Sequence, residues 1–351
     1  MVAILPVEYD GASRVANIDS IKAPARKSVQ LSRSSSVAIC TATDEGFAFP
    51  TAVVAKSISR LKCKNIGPVY YVWIGQSVPP RELVSYLERC GVILVVAPSS
   101  LLLTMRGAHG LLTPAASARL ALAEILKDFP IDKFLYLDGD VEIAGSLSEL
   151  GDVDLPEGQI AAADNAGTLI SRRDPRANRQ WIERIRNLGM PEGSSYFSSG
   201  VMLAHMQSWG EISAQARKYY AENPSKCRFF DQCALNAVCY NRRLILSPRW
   251  NFQSDFFNLN YDGDIRPAIV HFSGSCKPWV PVPFTRSWRA AKPFLAARSE
   301  MPELWGKTAQ RGAVGIYKKT FANYIRRAKF RSAAQRIFSH YLATTGFADT
   351  V

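Results

Sequence analysis

The chain has 351 residues, 47% apolar and 21% charged, with a formal net charge of +13. This composition excludes a disordered chain and a disulfide-stapled miniprotein, and the length allows one large domain or two ordinary ones. No window reaches the ~18 consecutive apolar residues of a membrane span; the N-terminus lacks a basic leader and is followed by Glu8 and Asp10, so no secretory signal is expected.

Residues 1–36 are rich in Ser, Ala, Arg and Lys without periodicity and read as a mobile arm. Order is expected from a buried strand over 37–42. A helix over 48–61 with Pro50 in its first turn, a strand over 69–74, a helix over 81–90 and a strand over 92–96 follow. This β-α-β-α-β order predicts a parallel sheet covered by helices. Thr113 as cap and Pro114 in the first turn predict an α-helix to about Lys127, stopped by Asp128-Phe129-Pro130. The buried strand Phe134-Leu135-Tyr136-Leu137 then runs into Asp138-Gly139-Asp140. Further strands are expected at 159–163, 197–204, 244–246 and 268–272, and helices at 206–222 and 230–240. No internal repeat is present.

The positive charge is uneven. Residues 1–304 hold 34 basic and 29 acidic groups, whereas between Glu303 and Asp349 nine Lys or Arg stand without an acidic residue. Such an excess points to a polyanionic neighbour: phospholipid head groups, nucleic acid or a phosphorylated glycan. The seven cysteines form no CxxC pair and match no common zinc spacing, which favours reduced, mostly buried thiols in a cytoplasmic protein.

Asp138 and Asp140 are next-nearest neighbours, so extended backbone points both carboxylates the same way. They sit at a strand's C-terminal end, the edge where open α/β sheets bind ligands. One hard divalent ion can bridge them to diphosphate oxygens; the alternative is a solvated turn, which Asp-Gly favours. His271 ends a strand and precedes a small-residue loop with Lys277 six positions on. That pattern offers a metal ligand and a phosphate clamp, or a strand-end His satisfied by backbone groups. Arg172, Arg173, Arg176, Arg179, Arg184 and Arg186 face only Asp174 and Glu183. They form either a solvated helix face or an acceptor-side lid for an anionic glycan.

Four pieces occur in order: Ser117-Ala118-Arg119-Leu120 leading to Asp138-Gly139-Asp140; Tyr196-Phe197-Ser198-Ser199-Gly200-Val201; Phe230-Asp231-Gln232-Cys233 with Arg249-Trp250-Asn251-Phe252; and His271-Phe272-Ser273-Gly274-Ser275-Cys276-Lys277-Pro278-Trp279. Together they resemble glycosyltransferase family 8 over about residues 37–290, most closely the bacterial lipopolysaccharide α-galactosyl- and α-glucosyltransferases, and glycogenin more distantly. The resemblance implies an α/β GT-A fold, a mostly parallel Rossmann-like sheet with flanking helices. It also implies a UDP-sugar donor, Mn2+ or Mg2+, and hexose transfer with retention. By motif, it implies Asp138, Asp140 and His271 as metal ligands and Lys277 and the Gly274 amide as diphosphate contacts. Gly139, Ser198, Ser199, Arg119 and Asp164 fall at or near the donor, and Ala42 and Asp44 where the first-strand loop holds uridine. Asp231 and Gln232 fall beside the anomeric carbon. A neutral Gln there favours front-face attack, with double displacement through Asp231 as the rival. Ser198, often Asn in the family, and Gly46, often polar, bear on donor identity. Trp250 and Trp279 read as core packing more readily than as sugar platforms.

The expected partners are the UDP-sugar, a glycan or lipid-linked glycan acceptor such as lipopolysaccharide core, and an anionic membrane surface. Nucleic acid is not expected, since no RNP-type or helix-turn-helix pattern accompanies the charge. The alternative is a non-catalytic sugar-nucleotide-binding or scaffold protein of the same fold. The chain divides into the arm at 1–36, a catalytic domain at 37–290 and a basic, amphipathic membrane-association segment at 291–351. In the last, Tyr317, Phe321, Tyr324 and Ile325 fall at helical spacing among Lys318, Lys319, Arg326 and Lys329. The location implied is cytoplasmic and peripheral on the inner face of the membrane. Ending the chain near Leu304 is expected to leave a soluble protein that still hydrolyses its donor.

Overall fold

Alternating burial along the central strands dictates the layers. In the computed structural model, Ile39, Tyr71, Trp73, Leu135 and Leu137 point to one apolar cluster, and Cys40, Tyr70, Val72, Phe134 and Tyr136 to the other. Such strands need cover on both faces, which is what parallel β-α-β crossovers supply. The residues described are 2–4, 36–75, 77–98, 101, 114–172, 174–257, 265–274, 277–280, 290–309 and 331–347.

The strands are β1 (Val2–Ile4), β2 (Val37–Thr43), β3 (Ile66–Trp73), β4 (Ile93–Val96), β5 (Lys133–Leu137), β6 (Val141–Ile143), β7 (Ile160–Asp164), β8 (Phe197–His205), β9 (Arg243–Leu246), β10 (Phe252–Gln253) and β11 (Ile269–His271). The helices are α1 (Ala48–Ser59), α2 (Arg81–Arg89), α3 (Leu122–Ile125), α4 (Ser148–Gly151), α5 (Ala166–Ser171), α6 (Pro175–Asn187), α7 (Met206–Glu222), α8 (Phe230–Cys239), α9 (Ser254–Phe257), α10 (Ala291–Ala297), α11 (Pro302–Ala309) and α12 (Arg331–Thr345). Eight strands form one sheet in the order β1-β4-β3-β2-β5-β8-β7-β9. Its ladders are parallel except where β8 runs against β5 and β7. A second sheet, β10-β11-β6, sets His271 opposite Val141. That register carries His271 to the end of β5.

The mostly parallel α/β architecture expected from the sequence is present. Several local expectations change. Part of the N-terminal arm, Val2–Ile4, is an edge strand paired with β4; the rest of 1–35 lies outside the described residues. The helix expected from 114 is a 3-10 segment over Pro114–Ala121 before the short α3. There the Arg119 and Leu120 carbonyls accept from Trp209 Nε1 (2.8 Å) and Arg217 (2.6 Å), tertiary donors that hold the tighter turn. Strands β6 and β10 are too short for periodicity to reveal. Cys40, Cys227, Cys233 and Cys239 are buried free thiols, and Cys63 and Cys90 are free and half-buried. Trp250 and Trp279 are buried in the core.

The sequence divides the chain after 290, yet Phe294, Ala297, Met301 and Leu304 complete the same cluster as α1 and β3. Their spacing puts one face of α10 and α11 on the sheet's cover. Glu82 accepts from the Leu304 amide at 2.7 Å, and Glu300 pairs with Lys56 at 2.8 Å. Helix α12 packs elsewhere: Ala334, Phe338, Tyr341 and Leu342 close a separate cluster with Leu169, Phe252, Phe256 and Ile265. The amphipathic stretch with Tyr317, Phe321, Tyr324 and Ile325 lies outside the described residues. No described helix is long and apolar enough to cross a membrane.

Phe338 is buried, with its ring 4.8 Å from that of Phe256. Phe338→Ala is expected to cost about 3 kcal/mol, toward the low end for a buried Phe. The test is urea unfolding: the midpoint should fall with its slope unchanged, and an unshifted midpoint would mean that α12 does not dock in solution.

Candidate active site

The C-terminal edge of the sheet gathers the expected residues because β2 and β5 are parallel neighbours. Ala42 and Asp44 leave β2 where Asp138 leaves β5. Asp44 is buried and accepts the Gly46 amide at 2.9 Å, an Asx turn that shapes the loop. The Asp138 amide donates to the Gly200 carbonyl at 2.9 Å and the Phe272 amide to the Asp140 carbonyl at 2.9 Å. These two bonds seat Asp138-Gly139-Asp140 between β8 and β11.

The candidate metal ligands converge. His271 Nε2 lies 3.3 Å from Asp140 Oδ1 and 3.8 Å from Asp138 Oδ2, and the ligand atoms of the three residues all lie within 4.8 Å of one another. Asn251 Oδ1 can only accept, so His271 Nδ1 donates to it at 2.9 Å. The proton held on Nδ1 leaves the Nε2 lone pair for the carboxylate side, the usual outer support of a metal-binding His. Two carboxylates and one imidazole nitrogen suit a hard-to-borderline divalent ion such as Mg2+ or Mn2+. Space is reserved as well: a Cβ on Gly200 would stand 2.3 Å from His271 Cε1 and 2.6 Å from Asp138 Oδ2. Gly139 is glycine for another reason, since its Cβ would strike Thr51 Oγ1 of α1 at 2.0 Å.

Charge around this centre is balanced by buried cations. Lys277 Nζ pairs with Asp140 and donates to the Phe272 carbonyl at 2.7 Å, curling its loop through Gly274, whose φ of +95° favours glycine. Burial works against the Asp140 carboxylate, but the Lys277 ammonium beside it outweighs that and holds its pKa well below the ordinary range. Arg119 is 6% exposed. It bridges Asp138 (3.0 Å) and Asp231 (2.9 Å), donates to Ser199 Oγ (3.1 Å) and lies 4.6 Å from the Tyr136 ring centroid. Burial raises the Asp231 carboxyl, Arg119 opposes and Asp138 adds, leaving it above its ordinary value. Gln232 is held from both ends: Oε1 accepts the Ser199 amide at 3.1 Å and Nε2 donates to Tyr196 Oη at 3.3 Å. Ser198 and Ser199 are buried beside them on β8.

One expected residue stands apart. The Asp164 carboxylate pairs with Arg243 at 2.6 Å and accepts from the Tyr341 hydroxyl of α12 at 3.1 Å. Both oxygens therefore have protein partners, and Asp164 does not join the Asp138–Arg119–Asp231 cluster. Sequence reading missed Asn251, Gly200, Tyr196, Arg243 and Tyr341 as supports. Asn251, Gly200 and Tyr196 lay inside the quoted motifs without a role, whereas nothing local marks Arg243 or Tyr341.

Similarity to known proteins establishes the family and the fold. The family model described as Glycosyl transferase family 8 matches residues 38–281. General stress protein A of Bacillus subtilis (strain 168) is 30% identical over 184 residues, 48% of this chain and 60% of that protein. Lipopolysaccharide 1,3-galactosyltransferase of Salmonella typhimurium is 29% identical over 250 residues, 67% of this chain and 65% of that protein. The chain thus spans somewhat under two thirds of the length of these relatives. The crystal structure of galactosyltransferase LgtC with donor and acceptor sugar analogs superposes with a TM-score of 0.61 at 22% identity, over 77% of this chain and all of that one. This likeness shows the GT-A fold.

Asn251→Ala is expected to weaken Mn2+ binding by about 10- to 100-fold, as loss of an outer-shell partner does, and Gly200→Ala to abolish it by steric collision. Titration calorimetry with Mn2+ on each folded variant checks both; wild-type affinity in Gly200→Ala would place the ion elsewhere.

Proposed function

The chain belongs to glycosyl transferase family 8, and we propose that it transfers a hexose, galactose or glucose, from a UDP-sugar to a glycan acceptor with retention at the anomeric carbon. The observation that carries this reading is the convergence of Asp138, Asp140 and His271 beside Lys277, Arg119 and Gln232 at one sheet edge. The Salmonella relative's name, a lipopolysaccharide galactosyltransferase, supports lipopolysaccharide core or another cell-surface glycan as acceptor.

Asp138, Asp140 and His271 would hold Mn2+ or Mg2+. Such an ion supplies Lewis-acid neutralisation of the diphosphate leaving group. Lys277, with the Gly274 amide, holds the same phosphates by charge and hydrogen bond. Ala42 and Asp44 face the nucleoside end, and Ser198 and Ser199 line the path to the sugar, while Gly139, expected there by motif, packs against Thr51 of α1. Breaking the sugar–phosphate bond makes the ring oxocarbenium-like. Gln232, clamped by Ser199 and Tyr196, presents a neutral carboxamide to that developing charge. Asp231 is tied to the buried Arg119, which neutralises it and makes it a poor nucleophile. Both points favour front-face attack, with the acceptor's proton passing to the leaving phosphate oxygen. Asp164, with both oxygens engaged, bounds the donor cleft.

The basic, aromatic sequence over 310–330 supports peripheral attachment to an anionic membrane surface, each cation near it being worth roughly 1 kcal/mol.

Three outcomes are expected. UDP should be released from UDP-galactose or UDP-glucose with Mn2+ and not after chelation; no release from any UDP-sugar would leave a non-catalytic binding protein. Gln232→Ala should lower kcat by about 10- to 100-fold, roughly 1.4–2.7 kcal/mol, with KM little changed; a raised KM at normal kcat would make Gln232 a binding residue only. The protein should co-sediment with anionic vesicles and be released by high salt, and binding that salt does not weaken would remove the electrostatic account.

A further inference from the structure

Beside Gln232 stands a group of side chains that the transfer reaction does not use. Trp181 of α6 and Phe229, at the entry to α8, stack with ring centroids 5.7 Å apart and planes 20° from parallel. Phe229 is 38% exposed, so one ring of the pair is open to solvent. The Arg184 guanidinium lies 4.2 Å from the Trp181 centroid and 4.7 Å from the Phe229 centroid. Tyr196 is 5.3 Å from Trp181, ring to ring, and its hydroxyl accepts from Gln232 Nε2. A single side chain therefore separates the platform from Gln232.

The backbone is shaped to build it. Phe230 has φ +49°, a left-handed conformation that a bulky L residue rarely adopts. The turn there sends Phe229 out to Trp181 while Asp231 points in to Arg119.

Among the described residues no carboxylate pairs with its charge. Burial and the neighbouring Arg228 both push the Arg184 pKa down. Among the described residues neither Arg184 nor Arg228 makes an ion pair, whereas Arg119, Arg217, Arg243 and Arg249 each meet a carboxylate. A half-buried guanidinium on aromatic faces beside a second cation is a ready receptor for an anion. A sugar ring's C–H face complements the open aromatic ring next to it.

We propose that Trp181, Phe229, Arg184 and Arg228 form an acceptor subsite for a phosphorylated pyranose, which stacks on Phe229 and presents its phosphate to the two guanidinium groups. The inference rests on the transferase reading and deepens it, by naming the chemistry of the acceptor.

The test is titration calorimetry on the full chain saturated with UDP and Mn2+, which occupies the donor phosphate contacts. The probes are glucose 6-phosphate, glucose, inorganic phosphate and phosphatidylglycerol vesicles. Glucose 6-phosphate should bind at least about tenfold more tightly than glucose or inorganic phosphate. The double variant Arg184→Gln, Arg228→Gln should bind it no better than wild type binds glucose, and Phe229→Ala no better than wild type binds inorganic phosphate. Binding that the double variant leaves intact overturns the proposal. So does equal affinity for inorganic phosphate, which would make this a bare anion site, or dependence of vesicle binding alone on the two arginines, which would make it a membrane contact. Failure of the transferase reading shows separately, as absence of UDP release from every UDP-sugar.

Discussion

Arg119 is the charge on which the site depends. A guanidinium 6% exposed has lost most of its water and needs fixed anions in return. Asp138 and Asp231 provide them from the end of β5 and the first turn of α8, and Ser199 completes the shell from β8. Four separated pieces of chain are thereby held in one arrangement. Removing one partner of such a buried set costs about 3–5 kcal/mol, several times a neutral hydrogen bond. Asp138 is thus shared, one oxygen toward Arg119 and the other toward His271. Its orientation toward a bound ion is inherited from the guanidinium.

Absent side chains matter as much as present ones. Gly200 leaves the volume in which Asp138 and His271 approach, and Gly139 lets the strand end lie against Thr51 of α1. The middle residue of Asp-Gly-Asp is therefore set by helix packing on the far side of the chain from the carboxylates. The spacing of the acids and the identity of the residue between them answer to different constraints.

Much of this was legible in the sequence. Burial on both faces gives near-continuous apolar strands, so β2, β3, β5 and β8 announced themselves, as did α7 and α8. Asp138, Asp140, His271, Lys277, Asp231 and Gln232 were legible because each lies in a local motif, and the fold brings them together. What escaped has physical causes. Strands of two or three residues, such as β6 and β10, have no period to read. The 3-10 turn at Arg119 is imposed by Trp209 and Arg217, about 90 and 97 residues away. The resemblance put Asp164 near the donor, yet its partners Arg243 and Tyr341 are 79 and 177 residues distant and follow no local rule. The packing of α10, α11 and α12 was not legible for a related reason: a basic, amphipathic composition does not reveal which apolar surface a helix covers.

The Asp164–Tyr341 contact gives the protein a timetable. The chain is synthesised from its N-terminus, and the 177 residues between the two take about 9 to 35 s at ~5–20 residues per second. Until α12 emerges, the Asp164–Arg243 pair has one oxygen without its hydroxyl partner, and Phe252 and Phe256 lack the cover of Phe338. A growing chain on the ribosome therefore carries a sticky, unfinished apolar wall. Chaperones recognise surfaces of this kind. The wall is finished only when Tyr341 follows, 62 residues beyond Trp279, so maturation of this protein is paced by a segment downstream of the motifs that carry the chemistry.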